Sequence, residues 1–376
     1  MRILTVFGTR PEAIKMIPVV KALEKCNVDQ IVCVTAQHRQ MLDSVLEFFS
    51  VKPHIDLDIM QQGQTLSGLT TRILDKMDQV LADTQPDWVL VHGDTTTTMA
   101  TALAAFYRRV PIGHVEAGLR SFDLDAPYPE ELNRIIADSA ARHHYVPTEI
   151  AGDALRREGR KKDGIFVTGN TVVDVLLMTV DRLNNNPEMT KAIDARFAML
   201  DPSKKLILVT GHRRESFGAG FENICWALRD LAARGDVEVL YPVHLNPQVQ
   251  KPVNEILARM PNIHLVEPVD YPTFVRLMQR SYLILTDSGG IQEEAPSLDK
   301  PVLVMRQVTE RAEAITTGAV RLVGVDRSSI RDNAVRLLDD RKDWELMAKA
   351  ANPFGDGTAG ARICSILIGK GNQPII

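Results

Sequence analysis

Short apolar runs alternate with amphipathic stretches along most of the chain, and this alternation restricts the possible folds more than any other feature. The runs form two series of five, and each run has the length and residue types of a buried strand. They are Ile3–Phe7, Gln30–Thr35, Trp88–Val91, Val110–Val115, His144–Val146, Leu206–Thr210, Val237–Tyr241, Ile263–Val266, Leu283–Thr286 and Val302–Met305. Helical patterns such as Pro11–Glu24 and Arg39–Phe49 lie between them. Strands that alternate with helices predict parallel sheets with helices on both faces.

The two series of strands predict an α/β chain of two doubly wound, Rossmann-like domains. A length of 376 residues suits two domains. Residues 170–204 contain no clear strand and include "NNNPEM", so we place the connection between the domains there. We expect residues 1–169 and 170–356 to form domains that face each other across a cleft. In such sheets ligands bind at the carboxyl ends of the strands.

Composition excludes several classes of protein. The net charge of -4 argues against a general nucleic-acid binder, which would carry a basic face. No apolar stretch approaches the roughly 20 residues of a membrane helix, and the N-terminus resembles a strand rather than a signal peptide. The cysteines are Cys26, Cys33, Cys225 and Cys364. Because the cysteines form no CxxC pair, we expect reduced thiols in a cytoplasmic protein. From the charge and the apolar stretches we expect that it binds neither nucleic acid nor membrane.

The stretch "LILTDSGGIQEEA", residues 283–295, is typical of a strand, a tight turn and the start of a helix. Amide N–H groups at a helix N-terminus bind anions, so Ser288, Gly289 and Gly290 could hold the phosphates of a nucleoside diphosphate. Glu294 lies one turn further along and could accept hydrogen bonds from the two ribose hydroxyls. In an alternative interpretation the carboxylates only complement the helix dipole, which leaves the paired glycines unexplained.

The stretch "FGTRPEAIKM", residues 7–16, carries two cations at the ligand-binding end of the first strand. Pro11 suits the first position of a helix, which places Arg10 at the edge of the cleft and Lys15 one turn along. The alternative is a helix cap with two solvated cations. The G-x-G-x-x-G fingerprint is absent from the chain, so a nicotinamide-dependent hydride transfer has little support.

Two further strand ends, "VLVHGDTTTT" and "IGHVEAGLR", each pair a histidine with a carboxylate two residues later. The pairs are His92 with Asp94 and His114 with Glu116, and each pair shares one side of an extended chain. The four side chains could bind a metal, although these short patterns are unspecific. Asp94 could instead cap the next helix. Carboxylates at neighbouring strand ends also suit acid–base chemistry.

Acidic and basic residues follow several other strands. In "YPEELNR", Glu130 and Glu131 lie at the start of a predicted helix, where acidic side chains interact favourably with the helix dipole. A structural role therefore explains them as well as a functional one. In "VTGHRRES", His212, Arg213 and Arg214 directly follow a buried strand and predict a phosphate site, and the alternative is a solvated basic turn. His244 in "YPVHLNP" and Arg311 in "TERAEA" follow two more strands.

Taken together, these motifs resemble those of the bacterial non-hydrolysing UDP-N-acetylglucosamine 2-epimerases. The matching stretches run in order along nearly the whole chain. They are "FGTRPEAIKM", "TAQHRQM", "VHGDTTTT", "GHVEAGLR", "PEELNR", "TGNTV", "GHRRES", "YPVHLNP", "LTDSGGIQEEAPSL" and "NPFGDG". The resemblance implies a GT-B fold, a homodimer, and a C-terminal helix, residues 357–376, that packs back on the first domain.

The resemblance also implies roles for individual residues. The catalytic acids would be Asp94, Glu116 and Glu130, and the catalytic histidine would be His212. The substrate-binding residues would be Arg10, Lys15, Phe274, Ser288, Gly289, Gly290, Glu294 and Arg311. A second UDP-N-acetylglucosamine would act as an allosteric activator at Gln37, Gln40, Gln64, Glu130, Arg213 and His244. Two positions depart from the family pattern, because Gly63 replaces an arginine of the second site and Ala312 replaces a proline.

The implied reaction is C2 epimerisation of UDP-N-acetylglucosamine to UDP-N-acetylmannosamine, which feeds the synthesis of bacterial surface polysaccharides. It proceeds by elimination of UDP to 2-acetamidoglucal and re-addition, and it requires no cofactor and no metal. Three other functions remain open at this point: a hydrolysing epimerase, a GT-B glycosyltransferase, and a nucleotide-sugar sensor without catalysis.

Overall fold

The computed structural model describes residues 1–35, 39–61 and 63–369, with residues 39–41 described as backbone only. Gln37 lies outside the described residues, and so do the side chain of Gln40 and the last part of the predicted C-terminal helix. The chain divides into two compact units. Unit 1 contains Met1–Val175 and the chain from Phe354 onward, and unit 2 contains Leu176–Pro353.

Unit 1 is an α/β structure. Its strands are β1 (Arg2–Phe7), β2 (Asp29–Val34), β3 (Ile55–Asp56), β4 (Trp88–His92), β5 (Ile112–Val115), β6 (His143–Val146) and β7 (Ile165–Val167). Its helices are α1 (Arg10–Glu24), α2 (Arg39–Phe48), α3 (Leu66–Thr84), α4 (Thr96–Tyr107), α5 (Glu130–Ala140), α6 (Glu149–Arg157) and, near the C-terminus, α16 (Ala359–Leu367). Helix α7 (Thr171–Asn184) contains the boundary between the units.

Unit 2 repeats the alternation. Its strands are β8 (Lys205–Thr210), β9 (Val237–Pro242), β10 (Ile263–Val266), β11 (Leu283–Thr286), β12 (Val302–Val304) and β13 (Val320–Leu322). Its helices are α8 (Pro187–Ala195), α9 (Ala219–Ala232), α10 (Pro247–Leu257), α11 (Tyr271–Arg280), α12 (Gly289–Glu294), α13 (Ala312–Thr316), α14 (Arg327–Asp339) and α15 (Arg341–Ala348).

Both sheets are parallel, which confirms the predicted fold of two Rossmann-like domains. In the described residues the strand order is β3-β2-β1-β4-β5-β6-β7 in unit 1 and β10-β9-β8-β11-β12-β13 in unit 2. The ten predicted strands all form, with ends that shift by one or two residues. Three strands that the sequence did not reveal, β3, β7 and β13, each lie at a sheet edge. They are two or three residues long, too short to give a periodic signal.

Sheet topology places the predicted motifs at two equivalent positions. The strand order reverses between β1 and β4 in unit 1 and between β8 and β11 in unit 2. These are the switch points at which open α/β sheets bind ligands. Arg10 and Asp94 follow the two strands of the first switch point, and His212 and Ser288 follow those of the second.

Each sheet has its own apolar core. Leu4, Val89 and Val91 are fully buried against α3 and α4 in unit 1, and Ile207 and Leu285 occupy the corresponding core of unit 2. Within the described part of the chain, no helix is both long enough and apolar enough to cross a membrane.

Candidate active site

Glu12 ties together the two loops of the switch point in unit 1. Its Oε2 accepts hydrogen bonds from the backbone N–H groups of Gly8 (3.0 Å) and Thr9 (2.7 Å), and Thr9 caps α1 in return. Its Oε1 accepts a 2.7 Å hydrogen bond from the Thr95 hydroxyl, which belongs to the loop after β4. Sequence reasoning missed this role, although the Thr9-x-x-Glu12 spacing is the signature of a capping box.

Thr95, not Asp94, caps helix α4. The Thr95 side chain accepts from the Thr98 N–H at 3.2 Å, so the interpretation of Asp94 as a helix cap is wrong. Asp94 is instead held by α5. Its Oδ2 lies 2.6 Å from Arg134 Nη2, and its carbonyl accepts from the Asn133 side chain at 2.9 Å. The Asp94 side chain keeps 31% of its surface exposed, so it can meet a ligand.

Glu116 is the centre of a buried polar cluster at the end of β5. Its Oε2 accepts hydrogen bonds from the Lys15 ammonium group and, at 2.8 Å, from the Asn170 amide, and it lies 3.8 Å from His92 Nε2. Glu116 has a left-handed backbone (φ +61°), which is uncommon outside glycine and recurs at functional sites. Burial alone would raise the pKa of Glu116, but Lys15 and His92 hold it well below its usual range. The cluster therefore presents an ionised carboxylate.

His114 does not join this cluster. Its Nδ1 lies 2.6 Å from Asp138 Oδ1 and its Nε2 lies 2.7 Å from the Gly93 carbonyl, and the ring is fully buried. Burial lowers the pKa of His114, but the Asp138 carboxylate outweighs burial and the net pKa is raised. Since both ring nitrogens are engaged, the four-residue metal site considered from the sequence does not form. No group of three or more His, Cys, Asp or Glu side chains in the described residues is arranged to hold a metal.

Glu130 and Glu131 separate into two roles at the start of α5. Glu131 is fully buried and accepts hydrogen bonds at 3.0 Å from the N–H groups of Ser121 and Phe122, so it shapes the preceding loop. Glu130 is the first residue of the helix and is partly exposed. Its carboxylate has no hydrogen-bond or ion-pair partner among the described residues, and the same is true of the Arg10 guanidinium. Both side chains can therefore bind a ligand without first breaking a contact.

Asp287 organises the switch point of unit 2. This fully buried residue follows β11, and its Oδ2 accepts from the backbone N–H groups of His212 (2.6 Å) and Arg213 (2.8 Å). The turn after β8 is therefore fixed by a carboxylate from the neighbouring strand. The sequence predicts only a tight turn here, because no local pattern shows which backbone groups Asp287 binds.

His212 and His244 stack on each other. Their ring centroids are 5.3 Å apart with an interplanar angle of 15°, and 42% of the His212 side chain is exposed. Burial lowers the pKa of His212, and the neighbouring His244 and Arg213 reinforce this against the attraction of Asp287, 3.4 Å away. His212 is consequently neutral at pH 7, so it can both donate and accept a hydrogen bond.

Two arginines converge on the start of α12. A Cβ atom added to Gly289 would lie 3.6 Å from Arg311 Nη2 and 4.0 Å from Arg213 Nη2. The buried carboxylate of Glu293 pairs with Arg311 Nε and thereby orients its guanidinium group. Amide N–H groups of a first helical turn beside two guanidinium groups form a site suited to a phosphate.

Ser288 differs from the prediction. Its backbone N–H donates a 2.9 Å hydrogen bond to the Thr286 hydroxyl, so this N–H is already used. The Ser288 side chain makes no cap hydrogen bond to the helix. Gly289 and Gly290 are the first two helical residues, and their N–H groups belong to the turn that lacks intrahelical acceptors.

Glu294 lies near these glycines, as the sequence indicated. Its Oε2 would lie 3.7 Å from a Cβ atom added to Gly290, and its Oε1 accepts a 2.6 Å hydrogen bond from the buried Tyr271 hydroxyl. Tyr271 begins α11, the helix that also carries the half-buried Phe274. Tyr271 was not identified from the sequence, because it lies 23 residues from its partner.

The described part of the predicted second ligand site has two components. In unit 1 Gln64 Oε1 accepts from Arg72 Nη2, and Gly63 has a positive φ of +70°. In unit 2 His244 Nδ1 accepts a 3.1 Å hydrogen bond from the Asn246 N–H, next to Arg213 and His212 as described above.

Comparison with known proteins agrees with this architecture. A family model described as UDP-N-acetylglucosamine 2-epimerase matches residues 21–368. The UDP-N-acetylglucosamine 2-epimerase of Escherichia coli K12 is 56% identical over 98% of both chains. A crystal structure of UDP-GlcNAc 2-epimerase from Neisseria meningitidis bound to UDP-GlcNAc is 46% identical, with a TM-score of 0.91 over 98% of this chain and 100% of that one. A structure of S. aureus MnaA with UDP is 44% identical, with a TM-score of 0.86 over 100% of this chain and 98% of that one. The chain therefore belongs to the UDP-N-acetylglucosamine 2-epimerase family.

Proposed function

We propose that this protein interconverts UDP-N-acetylglucosamine and UDP-N-acetylmannosamine by inverting C2 of the sugar. The observation that carries the proposal is its full-length similarity to the Neisseria meningitidis structure bound to UDP-GlcNAc. The ionised Glu116 and the paired arginines at Gly289 supply the two chemical functions that this reaction needs, which are proton transfer and diphosphate binding.

The chemistry follows from the weak acidity of C2. No neighbouring carbonyl stabilises a carbanion there, so the proton leaves together with the anomeric C1–O bond. UDP departs, and 2-acetamidoglucal remains in the site. UDP then adds back while a proton is delivered to the opposite face of C2, and water is excluded throughout. This route uses neither a hydride acceptor nor a metal.

Proton transfer is assigned to Asp94, Glu116 and Glu130. Glu116 is ionised in the resting protein, so it begins the cycle as a base, and the hydrogen bonds of Lys15 and Asn170 fix its orientation. Asp94 retains exposed surface and Glu130 lacks a competing partner in the described residues. Acid and base groups on both faces of the ring explain why three carboxylates are needed rather than one.

Binding of the nucleotide is assigned to unit 2. Arg213, Arg311 and the N–H groups of Gly289 and Gly290 hold the diphosphate, which makes UDP a better leaving group. Glu294 accepts from the ribose hydroxyls, and Phe274 packs against the uracil. Because the Ser288 N–H is already used, Ser288 contributes its hydroxyl instead. The neutral His212 donates a hydrogen bond to the departing diphosphate, and Arg10 adds a cation.

Several finer features are part of this proposal. The enzyme is a non-hydrolysing, cytoplasmic homodimer that supplies UDP-N-acetylmannosamine for bacterial surface polysaccharides. A second UDP-N-acetylglucosamine activates it through a site formed by Gln37, Gln40, Gln64, Glu130, Arg213 and His244. Arg72, which donates to Gln64, supplies a cation near the position where Gly63 replaces the family arginine.

Proton NMR of UDP-N-acetylglucosamine incubated with the protein in D2O tests the reaction. We expect a UDP-N-acetylmannosamine signal and deuterium at C2 of both nucleotide sugars. Release of N-acetylmannosamine with UDP would instead identify a hydrolysing enzyme. An unchanged spectrum at high enzyme concentration would contradict epimerisation altogether.

A further inference from the structure

The C-terminal helix α16 packs closely on helix α1 within unit 1. A Cβ atom added to Gly360 would lie 2.7 Å from the Pro18 carbonyl oxygen, so only glycine allows the two backbones to approach this closely. The Gly360 N–H donates a 2.7 Å hydrogen bond to the buried Asp174 carboxylate. These contacts fix the beginning of α16 against the middle of α1 and against the first turn of α7.

The same packing brings two cysteine side chains together, one turn beyond Gly360 along α16 and about two turns beyond Pro18 along α1. Pro18, Ala22 and Cys26 are spaced by four residues, and so are Gly360 and Cys364, so each set lies along one face of its helix or the turn that follows. Cys26 Sγ and Cys364 Sγ are 2.7 Å apart, and both sulfur atoms approach the Ala22 carbonyl oxygen, at 3.3 and 3.8 Å.

This separation is shorter than the about 3.5–4.0 Å preferred by non-bonded heavy atoms, and a disulfide bond needs about 2.05 Å. Forming the bond therefore requires a small movement of the side chains, and the two helices can stay in place. Cys26 is partly exposed, whereas Cys364 is only 1% exposed, so a soluble oxidant reaches Cys26 first.

We propose that Cys26 and Cys364 are a redox-active pair whose disulfide staples α16 to α1. With glutathione disulfide as the oxidant, the Cys26 thiolate attacks one glutathione sulfur and releases one glutathione thiolate. The Cys364 thiolate then attacks the Cys26 sulfur and releases the second glutathione. Two thiols of the protein become one disulfide, and their two protons end on two molecules of reduced glutathione.

The other two cysteines provide an internal control. Cys33 and Cys225 are fully buried in the cores of unit 1 and unit 2. Burial raises the pKa of each thiol to about 12, with Asp56 and Glu222 respectively adding to the effect. Such thiols do not react with a soluble oxidant, because the thiolate is the reactive form. Cys364 is buried too, but it reacts with the adjacent Cys26 sulfur rather than with the oxidant. Oxidation of the folded protein should therefore be confined to the proposed pair.

The position of the pair along the chain predicts a large effect on stability. Cys26 lies near the N-terminus and Cys364 near the C-terminus, so their disulfide closes a loop that includes all of unit 2. Cross-links that close long loops remove the most entropy from the unfolded chain. We expect the Tm of the oxidised protein to rise by roughly 5 °C.

The experiment oxidises the full-length protein with glutathione disulfide, alkylates the remaining thiols and maps a non-reduced digest by mass spectrometry. We expect one cross-linked peptide that joins Cys26 to Cys364, with alkylation of Cys33 and Cys225 only after unfolding. The Tm rise should disappear when dithiothreitol is added. It should also be absent from both Cys26→Ser and Cys364→Ala, and the use of two variants guards against the misfolding of one of them.

Three results would overturn the proposal. The first is glutathione retained on Cys26 without transfer to Cys364. The second is a disulfide that joins the Cys26 residues of two chains. The third is a Cys26–Cys364 bond that leaves the Tm unchanged, since the disulfide would then not stabilise the packing of α16 on α1.

Discussion

The two switch points of the molecule solve opposite electrostatic problems. Beside the switch point of unit 1 the candidate group is an anion, Glu116 at the end of β5. Its charge is balanced by Lys15, its Oε2 also accepts a hydrogen bond from the Asn170 amide, and His92 lies 3.8 Å away. In unit 2 the functional groups are cations, and they converge on the bare backbone of Gly289. Arg311 pairs with the buried Glu293, and the buried Arg213 Nε lacks a hydrogen-bond partner in the described residues.

This difference supports the roles proposed above for the two regions. A carboxylate that moves a proton needs a defined protonation state before the substrate arrives, so its compensating charges must be built into the fold. A diphosphate site must leave positive charge available, because the ligand itself supplies the compensating anion. Unit 1 is therefore suited to proton transfer and unit 2 to anion binding.

Glu116→Gln should have the largest effect. We expect turnover to fall about 10²–10⁴-fold, because an amide cannot accept the C2 proton. The affinity for UDP should remain, since the phosphate-binding residues lie in unit 2. Rate measurements and calorimetric titration with UDP test both expectations. The matched control is Glu149→Gln, at a surface ion pair with Arg156. A fall of less than tenfold, or an equal fall in the control, would contradict this role for Glu116.

Lys15→Met should change the pH dependence of kcat/KM. In the wild type, Glu116 stays ionised well below its ordinary pKa of 4.5, so the acid limb of the profile should lie below that pH. Without the Lys15 charge the effect of burial should dominate, and the acid limb should move upward, above 4.5. Lys21→Met on the same helix, where Lys21 pairs with Glu24, is the control and should leave the profile unchanged.

The Lys15 substitution also tests linkage to stability. Because Glu116 has a depressed pKa in the folded protein, its ion pair stabilises the fold above pH 4.5 and loses that contribution as the pH falls through the folded-state value. Urea unfolding at several pH values should show this loss in the wild type and not in Lys15→Met. The same pH dependence in both proteins would show that Lys15 does not set the pKa.

Arg213→Met should weaken UDP binding about tenfold, because charge-assisted hydrogen bonds to phosphate are among the stronger polar contacts. The turnover of bound substrate should change less than it does in Glu116→Gln. Calorimetric titration with UDP measures the change, and the loss should be smaller at high salt. Arg331→Met, at an exposed site on α14 that pairs with Asp332, is the control. Unchanged UDP affinity would remove Arg213 from the phosphate site.

Thr95→Ala and Ser288→Ala should give the smallest effects, and the pair compares the two switch points directly. Thr95 caps α4 and also binds Glu12, so its loss should cost about 1–2 kcal/mol of the free energy of unfolding. The Ser288 side chain makes no such cap, so its loss should change this free energy by less than about 0.5 kcal/mol. Urea unfolding measures both values, and equal losses would refute the difference.

The sequence predicted the position of a candidate residue correctly where that residue closely follows a strand. Short apolar runs predicted that Asp94, Glu116, His212 and Gly289 lie beyond the carboxyl ends of strands, and the structure has them there. Parallel strands bring their carboxyl ends to one edge, so position along the chain predicts position in the fold.

The residues that the sequence did not reveal act across long separations. Arg134 binds Asp94 from 40 residues away, Asn170 binds Glu116 from 54 residues away, and Cys26 meets Cys364 across 338 residues. No local period or motif encodes such partners. His114 is a further example. The sequence paired it with Glu116, but its Nδ1 binds Asp138, which lies 24 residues away.

The sequence by itself determined the α/β class, the two-domain organisation of its strands and the chemical types present at each strand end. These features depend on local hydrophobic periodicity and on turn residues, which act over a few positions. Tertiary structure alone decided which group carries charge, which N–H is already bonded and which thiols touch. Those properties depend on burial and on partners distant in the chain, and they are fixed only when the helices pack on the sheets.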